Sequence, residues 1–287
     1  LVNINFSIVG ANNDEISLAG PDYILETGAT GFGIPQPEVR IDPSAGNGGK
    51  FKFLKRGVRV VDLPIAILSN AQENLEPKLR RLARAMASRF TLKATYATGE
   101  VWSIGLYLDG GAETTFGSEA NKYFAKWVIS ARAPQPFWVS ATATTFSVQA
   151  TEVARGLLGV DGGQRSLSQL QVSSGQALGT ILITNTGDVE APVFWRIDGP
   201  TSTVSVQLNG TGFTYNEELL ENESILINTD LGTVLTEAGV NAYSGLGPAP
   251  KLFDLPAGNS IVNITATGAN STTKISGSFN PRREVLH

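Results

Sequence analysis

The side chains that most often carry chemistry are scarce in this chain. Among its 287 residues there is no cysteine, and the single histidine, His287, comes last. Cysteine-bound zinc, thiol nucleophiles and disulfide frameworks are excluded by that count. A Ser-His-Asp triad would need a terminal imidazole held in tight register, which a frayed end does not provide. Two glycine-rich stretches invite a phosphate-loop reading and fail on spacing. Gly46-Asn47-Gly48-Gly49-Lys50 runs into Phe51 with no hydroxyl after the lysine, and Ser44 stands where the first loop glycine belongs. Gly28, Gly31 and Gly33 lack the dinucleotide spacing and any surrounding βαβ unit.

Carboxylate and aromatic chemistry remain. Glu217, Glu218, Glu221 and Glu223 form the densest acidic cluster, and glycoside hydrolysis needs two carboxylates at a suitable separation. Trp102, Trp127, Trp138 and Trp195 would act as sugar platforms if exposed, but Trp195 alternates with core positions and all four are expected inside. Val160-Asp161-Gly162 is an acidic loop without EF-hand spacing, so no calcium or other cofactor is expected. Five sequons, at Asn5, Asn209, Asn222, Asn263 and Asn270, read as chance in a Ser/Thr-rich chain. The opening LVNINFSIVG has no basic n-region and no small-residue cleavage site, so no signal peptide is expected. No apolar run approaches the ~18 residues of a membrane span.

The charge is unevenly placed. Ten Lys/Arg face Asp62, Glu73 and Glu76 between positions 50 and 89, whereas eight acids face Lys251 alone between 197 and 254. The chain as a whole is at −4, so it has no bulk basic field for nucleic acid. Opposite-signed halves suit docking against copies of the same chain.

The elements that must position these groups are mostly strands. Charged residues are 17%, below the usual ~25%, and the chain carries 31 glycines and 14 prolines. One helix is expected over 75–88, where Leu75, Leu79, Leu82 and Met86 make a narrow apolar stripe, Asn74 suits the N-cap and Pro77 the first turn. Lys78, Arg80, Arg81 and Arg84 occupy its remaining surface and are the candidate residues for contact with a neighbour. Strands are expected around 50–59, 90–108 (turning at Thr98-Gly99) and 121–132. Ala133-Pro134-Gln135-Pro136 then breaks the ladder pattern, which predicts two domains, 1–134 and 135–287. In the second, Val193, Trp195 and Ile197 alternate with Phe194, Arg196 and Asp198. Val204, Val206 and Leu208 then lead into the Asn209-Gly210 turn, and Val262, Ile264 and Ala266 follow Pro256-Ala257-Gly258-Asn259. Short alternating strands with turns between them make an antiparallel sandwich.

Four segments of this half occur in a telling order: NTGDVEAPVFWRIDGP (185–200), ESILINTDLGTV (223–234), LFDLPAGNSIVNITATG (252–268) and FNPRR (279–283). The series resembles the siphophage distal tail protein family over most of 140–283; the N-terminal half agrees in outline, and 158–174 has no counterpart in the pattern. The resemblance implies a mainly β protein, with an N-terminal belt domain holding one helix and a C-terminal galectin-like sandwich. It further implies that six belts close into a ring with DNA passing through the lumen, at the distal tip of a long non-contractile tail assembled in the host cytoplasm. The partners implied are the tail tube, the tail hub and tail-associated protein, and a tape measure or receptor-binding protein. No enzymatic activity and no membrane anchor follow from it. The competing expectation is a carbohydrate-binding sandwich, with a carboxylate-pair glycosidase third.

Overall fold

The computed structural model describes residues 4–113, 123–149, 158–161, 164–170 and 177–286. They divide into two compact units, one of residues 1–142 with 282–287 and the other of residues 143–281.

Unit 1 begins with β1 (Ile4–Val9), β2 (Glu15–Ser17) and β3 (Tyr23–Leu25), then a long hairpin of β4 (Pro37–Pro43) and β5 (Gly49–Arg56). β6 (Arg59–Leu68) leads to α1 (Gln72–Ala85). After it come β7 (Phe90–Tyr96), β8 (Val101–Gly111), β9 (Phe124–Ala133) and β10 (Trp138–Ser140). The main sheet runs β2-β1-β7-β8-β9-β6-β3, all antiparallel. β8 is the bend, since its first half pairs with β7 and β10 and its second half, from Tyr107 on and across a bulge between Leu108 and Gly110, pairs with β9. Strict alternation explains why these segments are strands. Phe90, Leu92, Ala94 and Tyr96 of β7 point inward, opposite Ile104 and Leu106 of β8 and next to Ile8 of β1.

The helix starts earlier than the sequence suggests, because Ser69 folds the chain just ahead of it. The Ser69 hydroxyl donates to the Ala71 carbonyl and accepts the Ala71 N–H. Ala71, with no capping side chain, is therefore the N-cap in place of Asn74, and Pro77 falls in the second turn. The apolar stripe behaves as expected: Leu82 and Met86 are buried, Leu75 and Leu79 half-buried against the same core.

The expected break after residue 134 falls inside unit 1. Proline interrupts the ladder at Pro134 and Pro136, but the core continues through it to Trp138, whose ring is fully buried and stacks on Phe32 at 6.1 Å. The chain leaves unit 1 only after Thr142 and returns at β22 (Arg282–Arg283), which pairs with β10.

Unit 2 is a sandwich of two antiparallel sheets. One contains β11 (Thr144–Gln149), β15 (Phe194–Asp198), β18 (Ser224–Asn228), β19 (Thr233–Thr236) and β21 (Lys274–Phe279), in the order β11-β21-β15-β18-β19. The other contains β14 (Ala177–Asn185), β16 (Thr203–Leu208), β17 (Thr211–Tyr215) and β20 (Gly258–Thr267), in the order β14-β20-β16-β17. β12 (Leu158–Asp161) and β13 (Gln164–Leu170) form a separate hairpin. Trp195, Ile197, Val204, Val206, Ile225, Ile227, Val262 and Ile264 interleave between the sheets, as the alternation requires. The turns are those the sequence names: Asn209 and Gly210 both have positive φ, as a tight hairpin demands, and Gly258 lies at φ +85°.

Candidate assembly surface

The four cations of α1 do not act alike. Lys78 Nζ lies 2.6 Å from Asp22 Oδ1 and 2.7 Å from the Leu68 carbonyl, so it closes its own unit. Arg81 forks onto Asp14 through Nε at 2.8 Å and Nη2 at 2.5 Å, and reaches the Glu15 carbonyl. That hydrogen bond holds the Asp14 carboxyl below its ordinary range and raises the guanidinium. Beside it, Lys93 and Ser7 both donate to Glu15, which is lowered chiefly by Lys93. Among the described residues Arg80 pairs with Glu76 one turn back, and Arg84 donates to the Arg80 carbonyl at 3.3 Å and adds a weaker pull on Asp14; both are exposed. Arg81 thus stitches the helix to the β1–β2 turn and Lys78 to the start of β3 and the end of β6, while Arg80 and Arg84 project from it.

The larger uncovered surface lies elsewhere. The β4–β5 hairpin is exposed along nearly its whole length and carries Val39, Ile41, Phe51, Phe53 and Leu54 outward. Phe51 is 60% exposed. Its base is fixed: the Gly57 N–H donates to the Gln36 carbonyl at 3.0 Å, and Arg56 forks onto Glu284 at 2.6 and 3.1 Å. Across the sheet, the outward side of β6, β9 and β8 shows Val60, Val128 and Tyr107. Register places Val60 and Tyr107 on either side of Arg132, with Val128 four residues along β9, opposite Pro64, which is buried. Lys50 and Lys52 alternating with Phe51 and Phe53 is the signal that could have found the hairpin, read as a strand that buries neither face.

The sites weighed for chemistry do not assemble. Glu217 accepts from Tyr215 Oη at 3.2 Å and Ser244 at 3.4 Å, while Glu223 accepts the Leu220 N–H at 2.8 Å. Burial, then Glu217, pushes Tyr215 up to about 12. Glu218 and Glu221 stand in an exposed loop. All four tryptophans are core residues, so none is a sugar platform. Among the described residues no group of His, Cys, Asp or Glu gathers as a metal site, and no helix is long and apolar enough to cross a membrane. Gly162 and His287, and much of 158–174, lie outside the described residues or their described side chains.

No family model matches the chain, and no curated protein matches it. Solved structures do. The Dit protein of phage SPP1, described as a paradigm of the hub adsorption apparatus in phages infecting Gram-positive hosts, aligns with TM-score 0.67 and 12% identity over 98% of this chain and 99% of its own. Chains of the phage P2 baseplate in its activated conformation align with TM-score 0.52, at 11% identity with Ca and 12% with Sr, over 99% of this chain and all of theirs. Both units therefore share the distal tail protein fold, as the ordered turn motifs imply.

Proposed function

We propose that this chain is a structural virion protein, a ring-forming adaptor at the distal end of a long non-contractile phage tail. In this reading six copies close through unit 1, and the ring joins the tail tube to the tail-tip hub and its receptor-binding parts. The observation that carries it is a fold likeness over the full length of both chains, SPP1 Dit and this one. Fold alone does not fix function, but here the composition runs the same way. A chain without cysteine and with one terminal histidine has little catalytic equipment, and its conspicuous feature is uncovered apolar surface in unit 1.

Light scattering coupled to size-exclusion chromatography tests the reading. Six copies of a 30.4 kDa chain give about 180 kDa. A closed oligomer of that mass, annular in negative stain, is the expected result. A monomer at high concentration and low salt refutes it. The tryptophans that would stack on sugar rings in the carbohydrate-binding reading are buried, which removes those four from it.

A further inference from the structure

We infer that the β4–β5 arm of one copy lies across the outer face of β6, β9 and β8 in the next copy. The inference rests on the ring reading and names the contact that would close it. Two strands without a packed face are marginal in water, and no arm residue belongs to either core. Yet the arm presents Val39 opposite Leu54 and Ile41 opposite Phe51, all exposed. Contiguous uncovered apolar side chains of this kind mark an interaction site.

Charge decides what kind of partner fits. The arm looks basic in sequence, but its cations are largely spent on its own neighbours. Lys52 pairs with Asp42 at 3.1 Å, Lys55 with Glu38 at 2.9 Å, and Arg56 with Glu284. A phosphate-binding arm would keep them free. The receiving face holds its cations in the same way: Arg132 pairs with Asp109 at 2.8 Å and Lys126 with Glu26, while Asp62 accepts from the neutral Thr30 hydroxyl at 3.1 Å. An exposed apolar arm and a face where Val60, Tyr107 and Val128 stand among polar residues, with the cations on both largely held within their own unit, have the mixed make-up of a protein–protein interface. Because one unit carries both the projection and the face, every copy can give one contact and receive one. That is a heterologous contact, which closes into a ring when its rotation allows.

The absence of native cysteine makes the test clean. Phe53→Cys or Ile41→Cys is combined with Val128→Cys, Val60→Cys or Tyr107→Cys and oxidised mildly. A mixture of two single variants should give a covalent dimer and nothing larger, and a double variant should give a ladder ending at the ring. In a companion variant, Glu38 to Lys55 is replaced by Asn-Gly, which leaves the Gln36–Gly57 bond and Arg56 at the base. It should melt with the parent yet run as a monomer. An assembled ring in which no pair cross-links overturns the arm contact and leaves the ring reading standing. A ring that persists without the arm does the same. A parent chain that stays monomeric overturns both. If the shortened variant fails to fold, the cross-linking panel decides.

Discussion

Arg59 offers the sharpest test of how unit 1 is held. It is 2% exposed, and its guanidinium donates to four backbone carbonyls: Pro136 at 2.6 Å, Gly31 at 2.5 Å, Gly33 at 2.6 Å and Glu284 at 2.6 Å. Burial lowers it to about 10, so it remains charged at neutral pH. One side chain thereby fastens the 31–33 loop, the proline segment and the returning C-terminal residues. A hydrogen bond to a charged group contributes about 1.5–3 kcal/mol net, so four set a ceiling of roughly 6–12 kcal/mol. Desolvating the cation costs several kcal/mol in return. Arg59→Met removes that cost but leaves four carbonyls short of a donor. We expect it to destabilise unit 1 by about 3–5 kcal/mol, because four acceptors left unpaired at about 1–3 kcal/mol each outweigh the desolvation cost recovered. Urea unfolding of the full chain measures this, and hydrogen exchange at Leu286, whose N–H bonds the Phe32 carbonyl at 3.1 Å, reports the C-terminal clasp directly. Arg59→Lys keeps the charge without the fork and should recover only part of the loss. A methionine variant within about 0.5 kcal/mol of the parent, with Leu286 still protected, would refute the reasoning.

Four further outcomes follow from the geometry. Arg81→Ala should cost about 0.5–1 kcal/mol, since its pair with Asp14 is largely exposed, whereas Arg80→Glu with Arg84→Glu should leave the melting curve in place and weaken assembly in native mass spectrometry. Asp14 and Glu15 are depressed by Arg81 and Lys93, so their stabilisation is complete above the ordinary carboxylate range and is lost as pH falls through the depressed values; acid melts of Arg81→Ala and Lys93→Ala should show a smaller loss. Gly31 lies at φ +92°, and an added Cβ would sit 2.2 Å from the Val60 carbonyl oxygen; Gly31→Ala should cost about 1–3 kcal/mol and expose Leu286 to exchange. Joining Thr142 to Arg282 through a short Gly-Ser linker should yield a folded unit 1 with native tryptophan fluorescence, because β10 and β22 already pair across that gap.

Alternation was the legible part. Trp195, Val204, Val206 and Ile264 announce which way their strands face, and each is buried as its neighbours predict. The helix stripe was equally plain, while its start was not, because the group that folds the chain there is Ser69, outside the helical pattern. The cations of α1 illustrate a deeper limit. Sequence shows that Lys78, Arg80, Arg81 and Arg84 leave the apolar stripe, but Asp14 and Asp22, which claim two of them, come from a turn and a strand start far away in the chain. Arg59 was invisible for the same reason: its partners are carbonyls, which every residue has. Unit 1 runs on past the expected limit at 134, because a proline pair stops a ladder without stopping a core, and Trp138 carries the packing across.

The closing FNPRR segment shows how the two units share a chain. Phe279 belongs to the sandwich core, but Arg282 and Arg283 pair with β10 of unit 1. The Arg283 guanidinium lies 4.1 Å from the centre of the Trp102 ring and 3.6 Å from Glu100, and Leu286 enters the same core as Trp138. A motif that reads as the end of the sandwich is therefore the last stitch of unit 1. Topologically the sandwich is an insertion between Thr142 and Arg282, entered and left at two paired strands. Under the proposed function this separates two demands. The frame that must close a ring is sewn shut by its own residues at Arg59, Arg283 and Leu286, so changes within 143–281 can alter what the sandwich presents without loosening the unit that assembles.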